Sequence, residues 1–484
     1  MSRWNSKDIP VPDIQGAGTD QGVILVVGGG ISGITAALEA AEAGKDVILI
    51  EKRPFVGGRI TQLYKYFPKL CHPVCGLEIN QRRIKASPRL TVLTMAELES
   101  LEGRAGDYTA RVRIAPRYVN DRCTACGECA EAVRAEFDDE FHDGLGRAIG
   151  SGGDLSADAS ADASVGEVSD DSSSAPVKPA RRKGAYLPYP MAWPERFVLD
   201  PRIIGTEDAQ RAQDACRYGA IDLEMSEERI ELKVAAVIWS TGWKPYDAAK
   251  IQPYGYGRIP NVITSLELER MMDPLGPTKG ELVRPSDGQP ARNIAFIQCA
   301  GSRDRNHLRH CSRICCMVSL KQSTYTRERY GDEGEATIYY IDIRAIDRLE
   351  DFYRRIKSDP KVRFIKSKVA NITADPRSGD PVLHGVDTEG YRRYSNPHDL
   401  VVLAIGMQPS VASEDFPFEV AVNRDGFIEP DARNGGIFAA GCASDALDVN
   451  RSVQSATAAA LRAVQVVNAG GMPGFESHAR AKGD

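Results

Sequence analysis

Continuous apolar runs dominate the chain, and strictly alternating ones are scarce. VILVV at 23–27, DVILIE at 46–51, AAVIWST at 235–241, NIAFIQC at 293–299, ATIYYIDI at 336–343, DLVVLAIG at 399–406 and GIFAAG at 436–441 each read as a strand covered on both faces. Helical stretches such as SGITAALEAAEAG (32–44) and SLKQSTYTRERY (319–330) separate them. The alternation predicts an α/β chain with doubly wound, Rossmann-like parallel sheets, including a second βαβ unit over 293–343.

One stretch departs from this pattern. Residues 144–184 are rich in Ser, Ala, Asp and Gly and almost free of large apolar side chains. Such a composition buries too little surface to offset the entropy of ordering, so a disordered loop is expected there. It lies inside an insertion running from 119 to 221. The remaining divisions are an N-terminal extension at 1–21, a nucleotide-binding domain at 22–118 and 222–290, a second Rossmann-like domain at 291–400, and a return to the first domain at 401–484.

The 484 residues carry a formal charge of −6, which gives no electrostatic basis for binding nucleic acid. No apolar run approaches the ~20 residues of a bilayer span, and the N-terminus lacks a secretory h-region. A cytoplasmic protein is expected. The eleven cysteines are therefore not read as a disulfide framework. They cluster as Cys71/Cys75, as Cys123/Cys126/Cys129 with Cys216, and as Cys299/Cys311/Cys315/Cys316, with Cys442 alone. That grouping points to metal or redox chemistry.

VVGGGISGITAALEA places Gly28, Gly30 and Gly33 between a strand and a helix, and Glu51 ends the next strand. In that context the glycines admit a tight turn, a pyrophosphate and close helix packing, while the acid meets a ribose. EKRPFVGGRI adds Gly57, Gly58 and Arg59. GIFAAGCASDALDVNRSVQSATAAALRAV resembles the C-terminal flavin motif of thioredoxin-reductase-like flavoproteins, with Cys442 where an acid is usual. VIWSTGWKP, with Thr241 and Gly242, resembles their crossover between domains. The expected cofactor is FAD, held by Gly28, Gly30, Ser32, Gly33, Glu51, Lys52, Gly57, Gly58, Arg59, Thr241, Gly242, Gly441, Cys442, Ser452 and Val453. A helix beginning at about Ser452 would point its positive end at the flavin.

With FPKLCHPVC, PRYVNDRCTACGECAE, AYLPYPMAWP and IQCAGSRD added to these motifs, the chain resembles the HdrA family of heterodisulfide reductase subunits over nearly its whole length. The resemblance implies a cytoplasmic FAD- and iron–sulfur-carrying electron-transfer subunit, working with the other subunits of a complex and expected as a homodimer. The chain starts almost at the flavin fold, and this compact form resembles the heterodisulfide-reductase-like complexes of sulfur-oxidising bacteria, which work alongside lipoate-binding proteins. The alternative function is a self-sufficient NAD(P)H-dependent flavin disulfide reductase. Cys71 and Cys75 read as a redox dithiol beside the flavin or as buried structural cysteines.

Two-cluster ferredoxins use C-x2-C-x2-C-x3-C twice, the fourth cysteine of each motif serving the other cluster. The insertion keeps Cys123, Cys126, Cys129 and Cys216, whereas Val133, Thr206, Ala209 and Ala212 stand at the other four positions. A degenerate ferredoxin-like insertion with one [4Fe–4S] centre is predicted, the alternative being a vestigial insertion without iron. In the second βαβ unit the turn CAGSRDRNHLRHCSRICC holds one glycine and four cysteines where a dinucleotide turn would carry three glycines. Zinc also takes four thiolates, but adjacent Cys315 and Cys316 do not match its usual spacing. Cys299, Cys311, Cys315 and Cys316 are predicted to bind a [4Fe–4S] cluster, with Arg303, Arg305, Arg309, His310 and Arg313 offsetting its negative charge.

Overall fold

The computed structural model describes residues 22–142, 176–346, 348–413, 420–429 and 435–470. The extension at 1–21 and most of the loop expected at 144–184 lie outside the described residues. Two five-stranded parallel sheets form the framework. In the first, the spatial order is Ile437–Ala439, Ala236–Trp239, Ile24–Val27, Val47–Glu51 and Leu90–Thr94. Every residue of its three central strands is buried, as the continuous apolar runs require.

Helices cover only one face of each sheet. Ile31–Glu42 and Val449–Asn468 pack on the first through Ala36, Ala40, Ala456, Ala460 and Ala463. The opposite face is covered by an antiparallel meander, Ala96–Arg104, Asp107–Ile114 and Glu228–Val234, which contributes Tyr108, Ala110, Val112, Leu232 and Val234. Along Asp107–Ile114 and Glu228–Val234 the more buried positions alternate with more exposed ones. The expected Rossmann-type parallel sheets are thus present, with a half-buried meander in place of helices on the second face.

The second sheet runs Val262–Thr264, Leu400–Ile405, Asn293–Ala300, Glu335–Tyr340 and Val362–Lys366. Helices Ser265–Met272, Cys315–Tyr330 and Leu349–Lys357 lie on one face. A second meander, Asn371–Ala374, Pro381–Asp387 and Arg392–Pro397, lies on the other. Two expected boundaries change. Val262–Thr264 and the helix after it belong to this unit and not to the nucleotide-binding domain, because the strand pairs with Val401–Leu403. Leu400–Ile405 likewise stays in the second unit. The chain crosses between units in two segments that pair with each other, Trp243–Pro245 against Met407–Pro409.

The ends of the insertion meet where Val119 pairs with Ile221. Inside it, Arg181–Lys183 forms a strand against Glu136–Asp138, so the expected disorder does not extend through 181–184. Ion pairs Arg181–Asp138 (2.8 Å) and Lys183–Glu136 (2.9 Å) flank this pairing.

A buried polar hub joins the units. Glu269, 1% exposed, pairs with Lys321 Nζ at 2.7 Å, and it accepts hydrogen bonds from Gln322 Nε2 (2.6 Å) and the Tyr325 hydroxyl (3.1 Å). It also accepts the backbone N–H groups of Tyr64 (3.1 Å) and Lys65 (3.3 Å) from the first unit. Beside it, Arg270 donates to the Gln62 carbonyl at 2.9 Å and pairs with Asp273 at 3.0 Å.

His398 is 3% exposed, its Nδ1 2.8 Å from Asn293 Oδ1 and its Nε2 3.0 Å from the Tyr339 hydroxyl. Burial lowers its pKa from 6.5 to about 4. The folded state therefore binds fewer protons than the unfolded state between these values. The resulting stability is present above pH 6.5 and is lost as pH falls toward 4, by at most about 3 kcal/mol. His398→Gln is expected to flatten the pH dependence of urea-unfolding free energy across this window; an unchanged slope would refute the assignment.

Candidate cofactor sites

The first site lies at the carboxyl ends of the first sheet, where α/β folds bind ligands. Gly28 turns the chain with φ +103°, and a Cβ there would lie 2.6 Å from the Ser240 carbonyl oxygen. Gly33 packs beneath the turn, where a Cβ would lie 1.8 Å from the Gly28 oxygen. Gly58, with φ +64°, brings its own loop against Gly30; a Cβ on Gly58 would stand 2.8 Å from Gly30 Cα. A Cβ on Gly30 would meet only Gly58 Cα, at 3.9 Å. This side of Gly30 is open toward the N-terminus of helix Ile31–Glu42, whose first N–H groups suit a phosphate.

Glu51 ends its strand buried. Its Oε2 accepts the Gly29 N–H at 2.6 Å and its Oε1 accepts that of Arg53 at 2.9 Å, while burial raises its pKa. The cleft above these groups measures about 540 Å³. Of the expected residues, Gly28, Gly30, Ser32, Glu51, Lys52, Gly57, Gly58, Arg59, Thr241, Gly242, Cys442 and Ser452 line it. Gly33 and Gly441 do not; they support the cradle from behind, a Cβ on Gly441 falling 2.0 Å from Ser32 Oγ. Val453, half-buried on the last helix, also stays off the cleft.

The helix expected at about Ser452 starts earlier, at Val449, because the Asp448 carboxylate accepts the Arg451 N–H at 2.9 Å as its cap. Cys442 Sγ donates to the Leu447 carbonyl at 3.3 Å, and burial pushes its thiol up to about 11. A neutral thiol thus stands where the flavin motif usually has a carboxylate. Thr241 Oγ1 is buried on the cleft wall without a hydrogen-bond partner, as a ligand-facing hydroxyl would be. Cradle, hydroxyl and volume together fit FAD.

Arg113, Glu97, Trp243, Lys244, Ser410 and Leu447 also line this cleft and were not expected from sequence. Trp243 and Ser410 had a signal. TGWKP and IGMQP repeat one Gly-x-x-Pro pattern after two strands, and these are the two paired crossovers. Arg59 is held at the first of them, its Nε donating to the Trp243 carbonyl at 2.9 Å.

The second site gathers Cys123, Cys126, Cys129 and Cys216 around one small cavity in the insertion. Burial, reinforced by Cys123 and Cys216, pushes the Cys129 thiol up to about 12. At the positions that lack cysteine, Val133, Ala209 and Ala212 are fully buried in the insertion core. Thr206 caps helix Glu207–Ala215, its hydroxyl accepting the Asp208 N–H at 3.3 Å. A helix thus occupies the chain where a second cluster-binding motif would run.

The third site follows strand Asn293–Ala300. The sheet register shifts between Ile297 and Ala300, and Cys299 adopts φ +57°. Arg303 and Arg313 are also left-handed, at +57° and +61°. Such non-glycine conformations persist where the surroundings enforce them. Cys315 and Cys316 open helix Cys315–Tyr330, four residues before the expected start. Cys315 Sγ lies 3.6 Å from the Ile405 carbonyl and Cys316 Sγ 3.7 Å from that of Asp342. Burial and the neighbouring Cys316, Cys299 and Cys311 raise the Cys315 pKa, and burial pushes Cys316 up to about 11. Four soft sulfur donors carried by one loop and the helix it leads into suit an iron–sulfur group, whose iron compensates the thiolate charge.

The five basic side chains of the loop have different surroundings. Arg303 Nη1 stands 4.0 Å from Cys299 Sγ and pairs with Asp342 at 2.6 Å. Arg313 pairs with Asp445 at 3.5 Å, linking this loop to the flavin side, and His310 Nε2 lies 2.8 Å from the Met407 carbonyl oxygen. Arg305 and Arg309 are exposed. Among the described residues no three His, Cys, Asp or Glu side chains converge as ligands of a single metal ion. A cubane, being larger than one ion, holds its ligands farther apart.

Cys71 and Cys75 are exposed, which corrects the buried-structural reading. They flank the hydroxyl end of Tyr66 and do not line the cleft described above. Gly30→Val is expected to leave folding intact, since its Cβ meets no protein atom closely. It should weaken FAD binding by roughly 100-fold or more, about 3 kcal/mol, measured by flavin retention and reconstitution titration. A variant that still binds FAD tightly would contradict the cradle.

A family model described as FAD dependent oxidoreductase matches residues 24–118. The chain is 36% identical to a CoB–CoM heterodisulfide reductase iron–sulfur subunit of the HdrA type from Methanopyrus kandleri, over 92% of this chain and 64% of that protein. It is 34% identical to the HdrA-type subunit of the ferredoxin:CoB–CoM heterodisulfide reductase of Methanosarcina mazei, over 92% of this chain and 53% of the relative. It therefore spans between about half and two-thirds of the length of these curated relatives. Among solved structures, T. acidophilum thioredoxin reductase aligns with a TM-score of 0.44 at 12% identity, over 91% of this chain and 97% of that one. With the flavin-type cradle and the four-cysteine loop, the sequence similarity places the chain in the HdrA family of heterodisulfide reductase subunits.

Proposed function

We propose that this chain is the flavin- and iron–sulfur-carrying electron-transfer subunit of a cytoplasmic heterodisulfide-reductase-like complex. FAD occupies the 540 Å³ cleft. One [4Fe–4S] cluster sits on Cys299, Cys311, Cys315 and Cys316, and a second on Cys123, Cys126, Cys129 and Cys216. The flavin supplies a two-electron carrier and the clusters supply one-electron carriers. The protein's own contribution is to hold their ligands: Gly30 and Gly58 leave room for the pyrophosphate, Thr241 offers a hydroxyl, and the cysteine loops present thiolates. The partners are the complex's other subunits, with a second copy of this chain and a lipoate-binding protein in a sulfur-oxidising pathway.

The observation that carries this reading is the cysteine loop after Asn293–Ala300, which stands where the glycine turn of a pyridine-nucleotide domain would be. That replacement disfavours a self-sufficient NAD(P)H-dependent disulfide reductase. Anaerobic stopped-flow mixing with NADH and NADPH is expected to bleach the flavin only slowly, whereas dithionite reduces it fully. Fast bleaching by either nucleotide would overturn the proposal. Cys315→Ser with Cys316→Ser should lose one cluster's iron and sulfide while retaining FAD, and Cys126→Ser should lose the other's; unchanged iron in either variant would contradict that site.

A further inference from the structure

Strand Asn293–Ala300 leads directly into the cysteine loop, and the last two side chains before Ala300 are Gln298 and Cys299. Gln298 is 5% exposed, yet neither its Nε2 nor its Oε1 has a hydrogen-bond partner. Each unmet buried polar group costs about 1–3 kcal/mol. A strand core that merely needed volume would hold leucine or methionine here.

The side of the sheet is set by alternation. Ile294 and Phe296 pack in the core shared with Met317 and Leu320 of helix Cys315–Tyr330, while Ala295 and Ile297 face the opposite core. Gln298 follows Phe296 by two at the start of the register shift whose left-handed residue is Cys299, and alternation up to that point puts it with the first set, on the side of the helix that begins with Cys315 and Cys316. A second unmet group lies on that helix. Ser319 Oγ is fully buried without a partner, and Ser319 follows Cys315 by four residues and Cys316 by three, the spacing of neighbours on one helix face. Two buried polar side chains without partners thus accompany three of the four cysteines.

We infer that Gln298 donates its side-chain amide N–H to the sulfur of the iron–sulfur group held by Cys299, Cys311, Cys315 and Cys316, and thereby sets its reduction potential as a positioning and tuning residue. The inference rests on the cluster reading above. Cluster sulfides and cysteinyl thiolates are acceptors, so of the two amide atoms Nε2 is the one they satisfy. Reduction adds negative charge to these sulfurs, and an N–H aimed at them stabilises the reduced form more than the oxidised form. Gln298 therefore raises the potential of this cluster relative to an apolar side chain of the same size.

The test is an anaerobic redox titration of the full chain, followed by paramagnetic resonance and flavin absorbance, in wild type, Gln298→Leu and Gln298→Glu. The signal of this cluster is identified as the one that disappears in Cys315→Ser/Cys316→Ser. Gln298→Leu should keep full iron and FAD content and shift the cluster midpoint to more negative potential, leaving the flavin unmoved. Gln298→Glu, which replaces the donor by a carboxylate, should shift it further in the same direction. An unmoved cluster midpoint in Gln298→Leu, or a shift confined to the flavin, would overturn the inference while leaving the cluster reading intact. A wild-type protein without that signal would instead overturn the cluster reading itself.

Discussion

One buried carboxylate fixes the relation between the two halves of this molecule. Glu269 holds Lys321, Gln322 and Tyr325 on the helix that begins with Cys315 and Cys316, and it also accepts backbone N–H groups at Tyr64 and Lys65. The segment carrying Tyr64 follows Gly58 and Arg59, which line the flavin cleft. A buried ion pair seldom adds net stability over well-packed apolar residues, but removing one partner costs about 3–5 kcal/mol. The consequence of this hub is geometric. Lys321 lies less than two helical turns beyond Cys315, so the cysteine end of the helix cannot move relative to the flavin cradle without breaking it.

The two units solve one electrostatic problem with different chemistry. In each, a parallel strand ends, the chain turns, and a helix presents its N-terminus. A helix N-terminus favours negative charge. In the first unit the turn is made of glycines, which leave backbone N–H groups open to a diphosphate. In the second it carries four cysteines, which in the proposed reading hold an iron–sulfur cluster as thiolates. The left-handed backbone at Cys299, Arg303 and Arg313 belongs to this second solution. Glycine would adopt it more readily, but glycine has no sulfur.

How much of this was legible follows from the kind of signal involved. The parallel strands were readable because burial on both faces leaves continuous apolar runs, and the glycine cradle because its spacing has a steric cause. The meanders were missed because Tyr108, Ala110 and Val112 alternate with exposed residues and form no continuous run. The placement of Val262–Thr264 in the second sheet is a pairing fact; a strand of three residues does not name its neighbour. Cysteine spacing grouped both thiol sets that the fold brings together, but it did not reveal that Cys71 and Cys75 are exposed, which depends on the surrounding loop. Nor did sequence separate Arg303, which reaches a sulfur, from Arg305 and Arg309, which face solvent.

The cysteine loop of the second unit is, in this proposal, the electrical port to the flavin. Rapid anaerobic mixing with reduced ferredoxin, a one-electron donor too large to enter the flavin cleft, tests it most directly when wild type is compared with Cys315→Ser/Cys316→Ser at equal FAD content. Fast flavin reduction is predicted in wild type, and its loss in the double variant. Equal rates in the two proteins would contradict the port.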